Sequence, residues 1–305
     1  MMISVVIPAY NEAGNIKTVT TQISDKLKKF DSYEIILIDD GSTDSTLDEI
    51  KEVVKTNDCV KFISFSRNFG HQKALKAGLD YANGDCVISM DADLQHPPEL
   101  IINLVEKWKE GYDIVYTIRK DFQQTGILKK TTSTLFYKLI NMISDVDIPL
   151  GAADFRLLDR KVVNELRKFK ENWPFIRGLV SWLGFNQTGI EYSVRNRTVG
   201  KTKYTLRKMI SFALEGITSF SILPLRISVM FGFLSSFFAF LYTIYALIAK
   251  FYMHIAIQGW TSILISVLFL GGVQLIFLGL IGEYLGKLFI ESKKRPAYVI
   301  KEKYL

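Results

Sequence analysis

At 305 residues the chain can hold one large domain and an appendage, and a mean hydropathy of +0.17 with 49% hydrophobic residues is high for a wholly soluble protein. The net charge of +7 calls for an anionic partner, but no nucleic-acid motif accompanies it. The basic residues cluster beside the apolar segments, which favours phosphate and a membrane surface over nucleic acid. The two cysteines, Cys59 and Cys86, exclude a disulfide framework and offer no metal spacing. They read as small buried hydrophobes in a reducing compartment.

Strand and helix signals alternate through the first third. Residues 3–7 are an apolar run that predicts a strand, entered directly from the amino terminus without the charged region and long apolar core of a signal peptide. The large domain is therefore expected in the cytoplasm. Residues 12–30 predict a helix, with Ile16, Val19, Ile23 and Leu27 at helical spacing. Residues 34–38 predict the second strand; Gly41 turns the chain, and Ser42 or Asp44 caps a helix running to about Lys55. Strands follow at 60–65, 86–90 and 113–117, separated by helices at 69–82 and 98–109. This order implies an α/β fold with a parallel sheet covered on both faces.

Three polar clusters each follow a strand: Pro8-Ala9-Tyr10-Asn11-Glu12, Asp39-Asp40-Gly41-Ser42, and Asp91-Ala92-Asp93-Leu94-Gln95. In an open parallel sheet the ligand crevice lies beyond the carboxyl ends of the strands, so all three gather on one edge. The turns alone do not need so many carboxylates. One Asp would cap the helix after Pro98; two and a Gln exceed that need. Alternation puts Asp91, Asp93 and Gln95 on one side of an extended segment, as hard oxygen ligands suited to Mg²⁺ or Mn²⁺ shared with a diphosphate. Asp39 is placed to accept hydrogen bonds from a base or ribose, and Tyr10 to stack on the base. No Gly-x-Gly-x-x-Gly fingerprint and no P-loop is present, which disfavours a dehydrogenase or a P-loop ATPase.

The middle of the chain is basic and amphipathic. In residues 128–143 an apolar stripe of Leu135, Phe136, Leu139, Met142 and Ile143 faces away from Lys129, Lys130 and Lys138. Such a helix suits either a membrane surface or packing on the sheet. Gly151-Ala152-Ala153-Asp154-Phe155-Arg156 brings a carboxylate after small residues, readable as a turn followed by a salt-bridged arginine. The run 195–204 is a basic loop, readable as a solvated charge run, as a site of attraction to anionic lipid, or as a cover in which Arg197, Lys201 or Lys203 lies over a diphosphate.

Residues 205–220 form a second amphipathic segment. Residues 227–249 are then apolar without a charge, about 34 Å long as a helix, enough for a bilayer core. A second span is predicted at about 260–283. Arg226 precedes the first span, and Lys287, Lys293, Lys294, Arg295, Lys301 and Lys303 follow the second, while the connection carries only Lys250. By the positive-inside rule both flanks are cytoplasmic. Gly271, Gly272 and Gly279 would allow close helix contact within or between subunits, making a homo-oligomer through these helices conceivable.

The three polar clusters in their order resemble the inverting family 2 glycosyltransferases with the GT-A fold. The match is nearest to the polyprenyl-phosphate glycosyltransferases, the dolichyl-phosphate mannose synthases and the bacterial bactoprenol glucosyltransferases. Ser66-Arg67-Asn68-Phe69-Gly70, Asp154-Phe155-Arg156-Leu157, Leu214-Glu215-Gly216-Ile217-Thr218-Ser219-Phe220 and Leu268-Phe269-Leu270-Gly271-Gly272 extend the resemblance over essentially the whole chain. It implies a cytoplasmic GT-A domain over 1–220 that includes the two interface helices, two transmembrane helices within 221–286, and a basic cytoplasmic tail over 287–305. It implies a metal held by Asp91, Asp93 and Gln95, and a nucleotide-sugar held by Pro8, Tyr10, Glu12, Asp39 and Asp91 under the basic loop. Asp154, with Asp93, would be catalytic, as base or orienter of the acceptor. The acceptor phosphate would meet Arg119, Lys130 and Ser133. The implied partners are a UDP-sugar, glucose favoured, a polyprenyl phosphate and the bilayer, at the plasma membrane of a bacterium. A processive polysaccharide synthase shares the fold, but its Gln-x-x-Arg-Trp motif is absent. Intact Asp91, Asp93 and Asp154 argue against an inactive scaffold.

Overall fold

A computed structural model of the chain describes residues 1–119, 151–172, 175–193, 223–251 and 259–305. The amphipathic segments at 128–143 and 205–220, with Lys130 and Ser133, lie outside the described residues, as do Arg197, Lys201 and Lys203 of the basic loop. The described chain divides into two units, 1–213 with 295–305, and 214–294.

The first unit is an α/β sheet domain. Its strands are β1 (Met2–Ala9), β2 (Ser32–Asp39), β3 (Val60–Phe65), β4 (Cys86–Ser89), β5 (Ile114–Arg119), β6 (Ala152–Asp159), β7 (Gln187–Tyr192) and β8 (Ile300–Tyr304). Its helices are α1 (Ile16–Leu27), α2 (Thr46–Thr56), α3 (His71–Tyr81), α4 (Leu100–Lys109), α5 (Arg160–Lys168) and α6 (Ile176–Trp182). Among the described residues the strands form one eight-stranded sheet in the order β7-β5-β6-β4-β1-β2-β3-β8. β1 pairs in parallel with β2 and β4, β2 with β3, and β5 with β7. Because helices cover both faces, the central strands are apolar without alternation: Ile3, Val5, Val6, Ile7, Ile35, Ile36, Leu37 and Ile38 are fully buried. α3 lies against the middle of the sheet only because Gly78 has no side chain. A Cβ there would stand 2.0 Å from Cγ1 of Val6 and 2.8 Å from Cδ1 of Ile38.

The first five strands and four helices fall close to where periodicity places them. α1 starts later than residue 12 because residues 12–15 close a turn, Asn15 N donating to Glu12 O at 3.0 Å. Three strands extend the sheet beyond the sequence reading. β6 is antiparallel to β4 and β5, so it starts at the edge where they end. β7 continues the sheet beyond β5. The stretch 287–305, read as a basic tail, carries β8, antiparallel to β3. An open β3 edge would present unpaired amide groups, and β8 satisfies them. Lys51–Glu302, the Lys303 ammonium over Tyr81, and Tyr298 stacked on Phe65 hold it there.

The second unit holds α7 (Leu223–Phe251) and α8 (Trp260–Ser292). Their windows 223–245 and 269–292, of mean hydropathy 1.9 and 1.6, are long and apolar enough to cross a membrane. Phe233, Leu275 and Ile276 are 75%, 71% and 70% exposed, an apolar surface that water would not favour.

Candidate active site

The carboxyl ends of β1, β2 and β4 and the amino end of β6 meet on one edge of the sheet. Register fixes this: Ala9 pairs with Asp39, Val6 with Ser89, and Ser89 with Arg156. The segments after β1 and β2 are sewn together. Asn11 N donates to the Ser42 hydroxyl at 3.1 Å, Asn11 Oδ1 accepts from Thr43 N at 2.9 Å, and Glu12 N donates to the Thr46 hydroxyl at 2.9 Å. Pro8 is buried in β1, whereas the Tyr10 ring is 37% exposed. The Glu12 carboxylate accepts from Asn15 Nδ2 at 2.8 Å. Asp39 is buried and accepts from Ser42 N at 3.0 Å and the Ser64 hydroxyl at 2.8 Å.

Asp40, which the sequence reading left without a role, organises the neighbouring loop. Its carboxylate accepts from Phe69 N at 2.7 Å and Gly70 N at 3.0 Å. Burial raises its pKa, and those two N–H bonds oppose the rise. Gly41 takes a φ of 66°, and a Cβ on it would stand 2.3 Å from the Arg67 carbonyl carbon, so no other residue fits this turn. The 66–70 loop is thereby delivered to the site, with His71 at its end.

The Asp91–Gln95 turn lies next to it. Asp91 Oδ1 meets His71 Nε2 at 2.9 Å, and its Oδ2 stands 3.7 Å from His96 Nε2. Burial penalises charge on His71, but the hydrogen bond to Asp91 and its charge outweigh that and hold the pKa at about 9. Asp91 shows the converse: burial is overcome by His71 and His96, and its pKa falls to about 2. His96 is fully buried and stacked on Phe155. Its Nδ1 accepts from Asp91 N at 3.2 Å, so in the neutral ring Nε2 carries the proton. The Arg119 guanidinium 3.4 Å from that Nε2 is then a packing contact, and the arginine's directed bond is Nε to the Tyr192 hydroxyl at 3.1 Å. Burial and the Arg119 charge together lower the His96 pKa. Leu94 takes a φ of 62°, a conformation that side chains rarely adopt, while Asp93 Oδ1 accepts from Gln95 N at 3.1 Å.

Asp154 comes to this edge on β6. The Ser89 hydroxyl donates to its carbonyl, and its carboxylate is met by Arg177 of α6, Nε to Oδ1 at 2.7 Å and a terminal nitrogen to Oδ2 at 2.8 Å. Arg156 lies 3.7 Å from Oδ1 and donates to Ala153 O at 3.0 Å, so it supports the carboxylate from a buried position. Burial would raise the Asp154 pKa; the charge and hydrogen bonds of Arg177 reverse this and hold it far below the usual carboxylate range. Asp154 and Asp91 are near enough to feel each other's charge. The structure thus brings Asp91, Asp154, His71 and Arg177 together, with Pro8, Tyr10, Glu12 and Asp39 on the adjoining strand ends. His71, Asp40, His96, Arg177 and Tyr192 were not singled out from the sequence. One signal was available: the chain has only three histidines, and two stand here.

A mostly parallel sheet with this acidic edge is an α/β fold of GT-A type. The description "Glycosyl transferase family 2" matches residues 4–167. The chain belongs to glycosyl transferase family 2, and it is a glycosyltransferase. It is 42% identical over 303 residues to the prophage bactoprenol glucosyl transferase homolog of Escherichia coli K12, covering 99% of each chain. It is 43% identical over 303 residues to the bactoprenol glucosyl transferase of Shigella phage SfV, covering 99% of this chain and 98% of the relative. Glucosyl-3-phosphoglycerate synthase of Mycobacterium tuberculosis, solved with Mn²⁺, uridine diphosphate and phosphoglyceric acid, aligns with a TM-score of 0.50 at 22% identity, over 71% of this chain and 76% of that one. That likeness is one of fold.

Proposed function

We propose that this chain transfers a sugar from a nucleoside-diphosphate donor, UDP-glucose being favoured, to a polyprenyl phosphate at the cytoplasmic face of a bacterial membrane. The observation that carries the reading is the end-to-end extent of its similarity to bactoprenol glucosyl transferases. The similarity takes in the two apolar helices as well as the catalytic sheet, and an enzyme with a lipid acceptor needs both.

On the donor side, the exposed Tyr10 ring stacks on the base, Asp39 and Glu12 accept from base and ribose, and Pro8 shapes the turn that aims them. Arg197, Lys201 or Lys203 closes over the diphosphate. Asp91, Asp93 and Gln95 would hold Mg²⁺ or Mn²⁺, whose charge offsets that of the departing diphosphate. The donor set fits: hard oxygens suit either ion, and Mg²⁺ is ordinarily held by one or two carboxylates with substrate phosphates and waters.

On the acceptor side, Arg119 with Lys130 and Ser133 receives the lipid phosphate, and Asp154 orients it. The phosphate oxygen attacks the anomeric carbon from the face opposite the diphosphate and inverts it. The described residues 1–193 and the stretch 295–305, which precede and follow the apolar helices in sequence, belong to one unit, in which β8 pairs with β3. That supports an even number of membrane crossings, with both termini in the cytoplasm. The test is a screen of nucleotide-sugars against undecaprenyl phosphate with the purified protein and Mg²⁺, read by lipid mass. A single-hexose phospholipid from UDP-glucose is expected. Long polymer, or no lipid product with any donor, would overturn the reading.

A further inference from the structure

Asp154 is engaged in a way that sugar transfer alone does not require. One planar fork occupies both of its oxygens, Arg177 donating at 2.7 and 2.8 Å. Arg156 adds a second guanidinium at 3.7 Å, and the Asp154 side chain is only 12% exposed. The fork is itself held in place. Arg177 is the second residue of α6, and the first, Ile176, donates its N–H to the Gln72 side chain at 3.1 Å. Gln72 follows His71, which engages the other buried carboxylate of the site, Asp91. Of the two, Asp154 is the one whose oxygens both carry a charge-assisted bond.

A general base works best with a pKa near the working pH and a lone pair aimed at the proton. Protonating Asp154 would remove the negative charge that both Arg177 bonds depend on and weaken the pair. Water or a sugar hydroxyl must lose a proton as it attacks, and would need such a base. A phosphomonoester does not, because its second pKa is about 6. Its oxygen forms the bond to the anomeric carbon. The bond from that carbon to the diphosphate breaks, and the electron pair leaves with the diphosphate. The dianionic monoester becomes a monoanionic diester, the diphosphate takes up the charge, and no proton moves.

Resting on the transferase reading above, the geometry points to the Arg177–Asp154 pair as a specificity device. By occupying both oxygens of Asp154, Arg177 withholds a carboxylate base from water and alcohols and reserves the site for an acceptor oxygen that arrives ionised.

The test compares the full-length wild type, Arg177→Met and Arg177→Lys in detergent with one donor and Mg²⁺. Each is given undecaprenyl phosphate, the corresponding polyprenol, or no acceptor. Nucleoside diphosphate release and lipid mass are measured. The wild type should make product from the phosphate only. Arg177→Met should lose about 10²-fold in transfer to the phosphate, the cost of a misplaced acceptor. Release to water or polyprenol should fall far less or rise, so the ratio of transfer to release drops at least about tenfold. Arg177→Lys keeps the charge without the fork, and should lie between; it decides the matter if the Met variant fails to fold. A merely structural arginine would lower all rates together. An unchanged ratio in both variants would overturn the inference and leave the enzyme reading standing. A wild type that glycosylates the polyprenol would overturn it too. Absence of any lipid product from the wild type would overturn both.

Discussion

At the amino ends of the strands, Glu34 is 2% exposed and wholly enclosed by its partners: the Ser4 hydroxyl at 2.6 Å, Lys61 Nζ at 2.8 Å and Asn83 N at 2.6 Å. At the carboxyl ends, Asp91 and Asp154 are 30% and 12% exposed, and the cations that hold them, His71 and Arg177, are 43% and 23% exposed. Both ends carry charged carboxylates in a low-dielectric setting, so burial and charge alone do not mark a site. The difference lies in what the partners join. Glu34 ties β1, β2, β3 and the turn before β4 into one block, and its network closes on itself. Asp91 and Asp154 are held by groups on helix amino ends that remain open to a crevice. Partner exposure does not separate them, since Lys61 and Arg177 are each 23% exposed; position at the edge where parallel strands stop distinguishes a working carboxylate from a structural one.

The comparison can be broken most sharply at Asp93. Asp93→Asn keeps the oxygen that accepts the Gln95 N–H, so the turn should survive. It removes a charge from the metal and diphosphate site. Transfer should fall about 10³-fold, about 4 kcal/mol in the barrier, with the unfolding temperature unchanged. Full activity in this variant would remove the carboxyl edge from the chemistry.

Glu34→Ala should do the reverse. It leaves the Lys61 ammonium, the Ser4 hydroxyl and Asn83 N–H without their acceptor. Because Lys61 is 23% exposed, the loss should be about 2–3 kcal/mol of stability, below the cost of breaking a fully buried pair. The turnover of protein that remains folded should match the wild type at low temperature. A variant that keeps its stability but loses turnover would make the amino end functional and dissolve the distinction.

The two ends also differ in how far the sequence discloses them. β1 to β5 are legible because strands buried on both faces are nearly unbroken apolar runs between turn residues. β7 and β8 are edge strands with polar residues interleaved, and their pairing depends on a neighbour that no local pattern announces. β6 is buried, but its reversed direction could not be read from alternation, and that reversal is what brings Asp154 beside Asp91. The carboxylates of the site were visible as clusters after strands. Their partners were not, because His71 and Arg177 come from helix amino ends 20 and 23 residues away from Asp91 and Asp154. Tertiary placement, not sequence spacing, makes those pairs.

The smallest expected effect is in the pH dependence of stability, where Glu34 and His71 should respond with opposite sign. Burial favours a neutral Glu34, but its bonds from Lys61, Ser4 and Asn83 outweigh this and depress its pKa below the ordinary 4.5. A depressed carboxylate binds its proton less readily when folded than when unfolded. Its contribution is therefore complete above about pH 4.5 and is lost as the pH falls through the folded value. His71 is raised from 6.5 to about 9, so it binds its proton more readily when folded. Its contribution is complete below pH 6.5 and is lost as the pH rises through about 9. Its ring is 43% exposed, so solvent screens the pair with Asp91 and its share is the lesser one. Thermal unfolding of the detergent-solubilised protein between pH 4 and pH 10 measures both limbs. Glu34→Gln should flatten the acid limb alone and His71→Gln the alkaline limb alone. If His71→Gln left the alkaline limb as steep as in the wild type, the imidazolium would not be what holds Asp91, and the carboxyl edge would lose one of the two partners that set it apart from Glu34.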